Sequence, residues 1–306
     1  MHVIRHRKVF VSISAALVLV AFIAIALFGF KPSIDFTGGS LWQIRFDDTT
    51  VTDASLREFF SSTPHGNDAI IYPDLSSQSF IIKLQNVSEL EHQSYLSELT
   101  ARYGATTELQ FNAIGPTIGG QLKQKSIYAT ILVIIGISLY VAFAFRKVSY
   151  PVRSWKYGVV TLISLLHDVA IPAGVIAVLG KYWGIEMDAN FVVALLVIMG
   201  FSVHDTIVVF DRIRENLLLK RGAGSFDDIV EDSIQQTFAR SINTSLTLVL
   251  VLCAMIIFGQ PTLKIFEIIM LIGVVAGTYS SIFVASPLLT MWHSFGNNST
   301  GKKNTK

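Results

Sequence analysis

The sequence predicts a polytopic α-helical membrane protein with six transmembrane helices and one α/β domain between the first and the second. Three observations carry that fold class. The 306 residues are 51% hydrophobic and 15% charged, with a mean hydropathy of +0.53, whereas a soluble domain carries about 25% charged residues. The apolar residues gather into windows longer than about 18 residues with few charges. Residues 31–126 interrupt that pattern with polar, alternating and helix-capping signals. A net charge of +2 is too small to argue for nucleic acid. The single cysteine, Cys253, lies in an apolar run, so no intramolecular disulfide is possible.

The N-terminus is basic (Arg5, Arg7, Lys8) and leads into an apolar run from Val9 to Phe30. Ala24-Ile25-Ala26 resembles a signal cleavage site. It sits inside a run of about 20 residues, longer than the roughly 7–15 of a signal peptide core, so the run is expected to be an uncleaved first span. Spans are expected at about 10–30, 127–145, 157–180, 190–211, 242–259 and 265–292.

Lysine and arginine set the orientation. The basic segments are the N-terminus, the loop with Arg146, Lys147, Arg153 and Lys156, the segment with Arg212, Arg214, Lys220 and Arg221, and the tail with Lys302, Lys303 and Lys306. The opposite short loops hold only Lys181 and Lys264. Both termini are therefore expected in the cytoplasm. The expected parts are a cytoplasmic N-terminus (1–8), a first helix (9–30), an extracytoplasmic domain (31–126), a five-helix bundle (127–292) with a cytoplasmic segment at 212–240, and a cytoplasmic tail (293–306).

In the extracytoplasmic domain, Leu41 to Phe46 alternates as a strand, and Thr52 caps a helix over Asp53 to Ser61. Ala69 to Tyr72 and Phe80 to Leu84 read as strands joined by Pro73 to Ser77. Ser88 and Glu91 form a capping box for a helix that Gly104 stops, and Thr106 to Phe111 reads as the last strand. The order βαββαβ predicts a ferredoxin-like sandwich. Asp35 to Gly39 reads as a turn into the first strand. Gly115, Pro116, Gly119 and Gly120, just before the second span, read as a hinge.

Chemistry concentrates in the bundle. The third span carries His167 and Asp168, with Pro172 beyond them to kink the helix. The fourth carries His204 and Asp205 among apolar residues. A carboxylate inside a span costs roughly 2.5–3.5 kcal/mol and marks a functional site by default. At 1.5 Å per residue, Asp168 lies roughly 16 Å in from residue 157 and Asp205 roughly 22 Å in from residue 190. The two are expected to differ in depth by a gap that one or two waters bridge. Ser225 to Phe238 is acidic and amphipathic, and reads as a short helix near the interface. Arg240, at the head of the fifth span, is within reach of Asp205. In the sixth span, Gly273 and Gly277 form a GxxxG that permits close helix contact.

Three chemistries fit these residues. In the first, a proton and the Arg240 guanidinium compete for Asp205, which couples ion flow to helix movement. In the second, His167, Asp168, His204 and Asp205 form a metal site or a hydrolase. The spacing argues against it, because adjacent residues on a helix diverge by about 100°. No metal or cofactor is expected. In the third, the polar residues only glue helices in a scaffold.

At these residues the chain resembles the SecF branch of the SecD/SecF family. The resemblance rests on Ile34 to Gly39, Gly115 to Gly119, Leu166 to Val169, Asp205 to Asn216, Arg240 to Ser245 and Gly277 to Phe283, in that order on a six-span plan. It implies half of an RND-type bundle, completed by SecD, in the bacterial cytoplasmic (inner) membrane. It also implies a non-enzymatic role: work alongside the SecYEG translocon, using the proton-motive force to drive a translocating unfolded polypeptide. Asp205 and Arg240 match the family's proton-path residues, and Asp168 is carried over with them. The family has Asn where this chain has His204, which either shifts the working pH or replaces Asn as a hydrogen-bond partner. Two questions stay open at this point: whether the ion is a proton or sodium, and whether the chain is instead an RND-type exporter of a lipid or small molecule.

Overall fold

The structure is a computed structural model that describes residues 2–64, 69–74, 77–146, 152–220 and 224–301. Lys147, Arg221, Lys302, Lys303 and Lys306 fall outside the described residues, as do Leu75 and Ser76 of the expected strand link. The chain divides into two compact units, one of residues 32–128 and one of residues 1–31 with 129–306. Six helices among the described residues are long and apolar enough to cross a membrane.

Helix α1 (Arg7–Phe28) is the first of these. In the smaller unit, Ser33 caps the single turn α2 (Ile34–Thr37), and Gly38 ends it with φ +75°. The chain then enters β1 (Gly39–Phe46) and α3 (Asp53–Ser61), which Thr52 caps. Next come β2 (Ile70–Asp74), β3 (Ser79–Leu84), α4 (Glu89–Tyr103) and β4 (Thr106–Ile114). Ser88 and Glu91 form the capping box on α4.

The sheet order is β2-β3-β1-β4 with every pair antiparallel. Each βαβ half therefore encloses a strand of the other, as the element order predicts. Even-numbered β1 residues (Trp42, Ile44, Phe46) face inward onto Leu56, Phe59 and Phe60 of α3 and Tyr95 and Leu99 of α4. Trp42 Nε1 donates to Glu108 at 2.8 Å, and His92 reaches the same carboxylate oxygen at 2.6 Å.

Helix α5 (Pro116–Ala144) opens on a proline at its first position, where no N–H is needed. A Cβ at Gly119 would lie 2.8 Å from the Gly38 nitrogen, and one at Gly38 would lie 2.7 Å from the Pro116 Cα. These glycines permit backbone-on-backbone packing. Gly115 and Gly120 have open space around them.

The larger unit continues with α6 (Ser154–Trp183), α7 (Ala189–Leu219), α8 (Phe226–Phe258) and α9 (Lys264–Ser280). A π turn over Ser281–Ala285 leads into α10 (Ser286–Gly301). Pro287 has no N–H to give to the preceding turn, and the widened π turn precedes it. Helix α6 runs through Pro172, which offers the Asp168 carbonyl no helical donor four residues on.

The separate short helix expected over Ser225 to Phe238 is not what forms. Those residues are the first turns of α8 and continue unbroken into the fifth span. Their apolar face packs into protein: Phe226, Val230 and Ile234 join Val3, Ile4 and Leu289 in one core. Their acidic face also finds partners. Glu231 accepts from the Val3 and Ile4 amides at 3.0 and 2.7 Å, and Asp227 pairs with Arg7 at 2.6 Å.

Gly119 and Gly120 make a matched pair for a stability test. Gly119→Ala should destabilise by about 1–3 kcal/mol, because backbone cannot yield to the new methyl. Gly120→Ala should be neutral or stabilising by up to about 1 kcal/mol, since α5 gains a better helix former in open space. Thermal unfolding of the purified full chain distinguishes the two.

Candidate functional site

Two apolar clusters fill the bundle. One holds Leu165, Val203 and Ile282, and the other holds Ala173, Ile198 and Val274. Between them in sequence on α6 and α9 lie buried polar side chains. These are His167 and Asp168 on α6, and Thr278, Ser280 and Ser281 at the end of α9; α7 adds Ser202, Asp205 and Thr206.

Asp168 is fully buried and accepts three hydrogen bonds. His167 Nδ1 approaches at 2.7 Å, Ser280 Oγ donates at 2.7 Å, and Ser202 Oγ donates to the same oxygen as Ser280. Asp205 is buried at 5% exposure and accepts from Ser281 Oγ at 2.5 Å. The two carboxylates are thus held by consecutive serines at the point where α9 widens into its π turn. On α7, Ser202 and Asp205 are one turn apart and share a face. Each aspartate is met by a serine hydroxyl, Asp168 by Ser280 and Asp205 by Ser281.

Close packing makes this convergence possible. A Cβ at Gly277 would lie 3.1 Å from the Ser202 Cβ, and one at Gly273 would overlap the Ile198 side chain. Glycine at both positions lets α9 approach α7 until Ser202 and Ser280 reach one carboxylate oxygen. Thr278 Oγ1 donates to Ser245 Oγ at 2.6 Å, tying α8 to the same layer.

The structure separates the other expected site residues from this layer. His204 is exposed, on the face of α7 away from Ser202, Asp205 and Thr206. The histidine inside the layer is His167. Arg240 is also exposed, and among the described residues no ion pair joins it to Asp205. Its backbone carbonyl accepts from Thr244 Oγ1 at 2.8 Å. Among the described residues no group of three or more His, Cys, Asp or Glu side chains is placed to hold a metal ion. The expected hinge residues are helical from Pro116 onward.

Sequence reasoning missed Ser202. Its one signal was the spacing of three to Asp205 in an otherwise apolar run. Thr206 Oγ1, Ser241 Oγ and His167 Nε2 are buried without a hydrogen-bond partner in this arrangement. The layer therefore offers two carboxylates, several hydroxyls and spare polar atoms, and among the described residues no lysine or arginine is paired to either acid. That set can bind a proton or a small hard cation such as sodium.

Comparison with known proteins finds relatives over most of the chain. A family model described as "Protein export membrane protein SecD/SecF, C-terminal" matches residues 95–294. A second, "SecD/SecF GG Motif", matches residues 23–50. The protein translocase subunit SecF of Thermobaculum terrenum is 42% identical over 95% of this chain and 94% of its own. The protein translocase subunit SecDF of Thermus thermophilus is 36% identical over 91% of this chain and 37% of its own. A crystal structure of SecDF, a translocon-associated membrane protein from Thermus thermophilus, superposes with a TM-score of 0.80. It is 33% identical and covers 96% of this chain and 39% of that one.

The serine bridge sets its own test. Ser202→Ala and Ser280→Ala should each destabilise the protein by about 1–3 kcal/mol, because a buried carboxylate loses a donor. In an Asp168→Asn background both effects should shrink. A double-mutant cycle on thermal stability measures the coupling.

Proposed function

The chain belongs to the SecD/SecF family of protein-export membrane proteins, and from that premise we propose that it couples cation flow across the membrane to late steps of Sec-dependent protein translocation. As a multi-pass subunit of the Sec export machinery it acts with a SecD partner. The further partners proposed are the SecYEG translocon and the translocating unfolded polypeptide. The proposed location is the bacterial cytoplasmic membrane, with both termini in the cytoplasm. The placement of Lys and Arg in the short loops supports that orientation.

One observation carries the reading: two aspartates are buried in the bundle, and among the described residues neither is paired with a lysine or arginine. Such groups are costly unless they do work. In this mechanism a cation reaches Asp205 and neutralises it. Ser281 then loses a charged acceptor, and its hydroxyl is free to turn elsewhere. Ser281 opens the π turn, and a π turn relaxes by passing its extra residue along the helix. Occupancy of Asp205 is thereby converted into a shift of α10 relative to α9. The neighbouring Ser280 passes the same shift to Asp168, the second acid of the path.

Arg240 enters as the mobile competitor. In the present state it lies exposed on α8, apart from Asp205. Movement of α8 brings the guanidinium toward the carboxylate and expels the bound cation. The driving force is about 2.3 kcal/mol per charge for each 100 mV, plus any concentration gradient. His204 points away from Asp205 and takes no part in the exchange.

Asp205→Asn should lower ion-dependent export at least tenfold while the protein still inserts and binds its partner. Arg240→Met should do comparable damage, and Arg240→Lys less. Export in vesicles with proton and sodium gradients varied separately measures all three and identifies the ion. Full export by Asp205→Asn would remove that residue from the mechanism. His204→Asn should leave the pH profile of export unchanged, because the side chain lies outside the buried layer.

A further inference from the structure

A third acid is buried at the other end of α9, far from the aspartate layer. Glu267 lies in the first turn of that helix at 1% exposure. Both of its carboxylate oxygens are buried and neither has a hydrogen-bond partner. At 1.5 Å per residue it is about 20 Å along the helix from Ser280 and Ser281. Apolar residues occupy the interval, including Ile269, Met270 and Val274. Glu267 is therefore not an extension of the layer that holds Asp168 and Asp205.

A second acceptor lies close to it. The Met255 carbonyl oxygen and Glu267 Oε1 both lie within 3.1 Å of the point a Cβ on Gly259 would occupy. Any side chain at Gly259 would fill that point. The Met255 carbonyl and Glu267 Oε1 thus both lie beside the bare Cα of Gly259, and among the described residues no donor serves the carboxylate. The Met255 carbonyl already accepts from the Gly259 amide at 2.6 Å, and a carbonyl has a second lone pair to offer.

The ionisable groups at this end of the bundle do not satisfy Glu267. Lys264, on its own helix, is exposed, and so is Lys181 at the end of α6. Asp188 caps α7 through the Phe191 amide at 2.8 Å and also accepts from Asn190. Lys31 and Tyr182, both exposed, lie at this end too, as do Glu186 and Cys253, and none of these groups donates a hydrogen bond to Glu267. A bare carboxylate enclosed by apolar helices is not tolerated without a positive charge on it or beside it.

We infer that Glu267, buried without a partner beside the Met255 carbonyl and Gly259, is a second cation-binding site of this chain, taking a proton or a sodium ion. Its use in transport rests on the ion-coupled reading above; its binding does not. Placed about 20 Å along α9 from the serines that hold the aspartates, it holds one cation at the end of the bundle that carries the α6–α7 and α8–α9 turns. The coupling ion would meet this site and the aspartate layer at different depths.

The test compares the full chain, bound to its partner subunit, with Glu267→Gln. Radioactive sodium binding reads one arm, and the infrared carbonyl stretch of a protonated carboxylic acid reads the other. The expected result is that the variant loses one sodium per chain or loses that infrared band. Asp205→Asn should leave the Glu267 signal in place. A variant that changes neither readout overturns the inference. If Glu267→Gln fails to insert, Glu267→Asp keeps the acid and moves its carboxyl, and sodium binding and infrared band both unchanged in that variant overturn it equally. Loss of the signal in Glu267→Gln together with export that ignores ion gradients would sink the proposed function and leave this site standing. Ion-driven export without a Glu267 signal would do the reverse.

Discussion

A buried carboxylate must be answered by donors or by a cation, and much of the bundle is built around that demand. Asp168 has no exposed surface and collects His167, Ser202 and Ser280 around it. Asp205 takes Ser281, the next residue of the chain. Four helical segments have to converge to supply these groups, so the polar layer dictates how closely the helices pack. The apolar clusters on either side are what make the demand severe, since they remove the alternative of water.

Local irregularities of the bundle fall where that layer needs them. Gly273 and Gly277 strip α9 of side chains along the face that meets α7. Pro172 leaves the Asp168 carbonyl without its helical donor, one turn from the acid it belongs to. The π turn begins at Ser281 itself and ends just before Ser286-Pro287. Each of these would cost stability in an ordinary helix. Here they fall on or beside the residues that hold the acids, as π turns often do at functional sites.

The same logic explains what lies outside the layer. The first turns of α8 carry Asp227 and Glu231, which would be exposed acids on an isolated amphipathic helix. They instead fix the N-terminal residues Val3, Ile4 and Arg7. Asn216 of α7 donates to Ser233 and Gln236 on the same stretch of α8. That end of the bundle is thus tied together by polar contacts, while α9 crosses α7 through glycines.

Much of this was legible in one dimension. Hydropathy alone marks the six spans, because every backbone polar group in a bilayer must be satisfied within its own helix. The capping residues Thr52 and Ser88 and the alternation in Leu41 to Phe46 mark the elements of the small sheet domain, because those signals are local. Asp168 and Asp205 stood out as acids in apolar runs. What one dimension does not carry is which side chain meets which. Two histidines flank the two aspartates identically in sequence, yet tertiary packing turns His167 inward and leaves His204 exposed. Arg240 was within reach by helix rise, but reach along an axis says nothing of rotation about it. The amphipathic stretch at Ser225 to Phe238 showed an apolar face without showing that Val3, Ile4 and Leu289 would cover it. Periodicity and burial cost are properties of a segment; the pairing of polar groups belongs to helices already packed, and only the folded chain decides it.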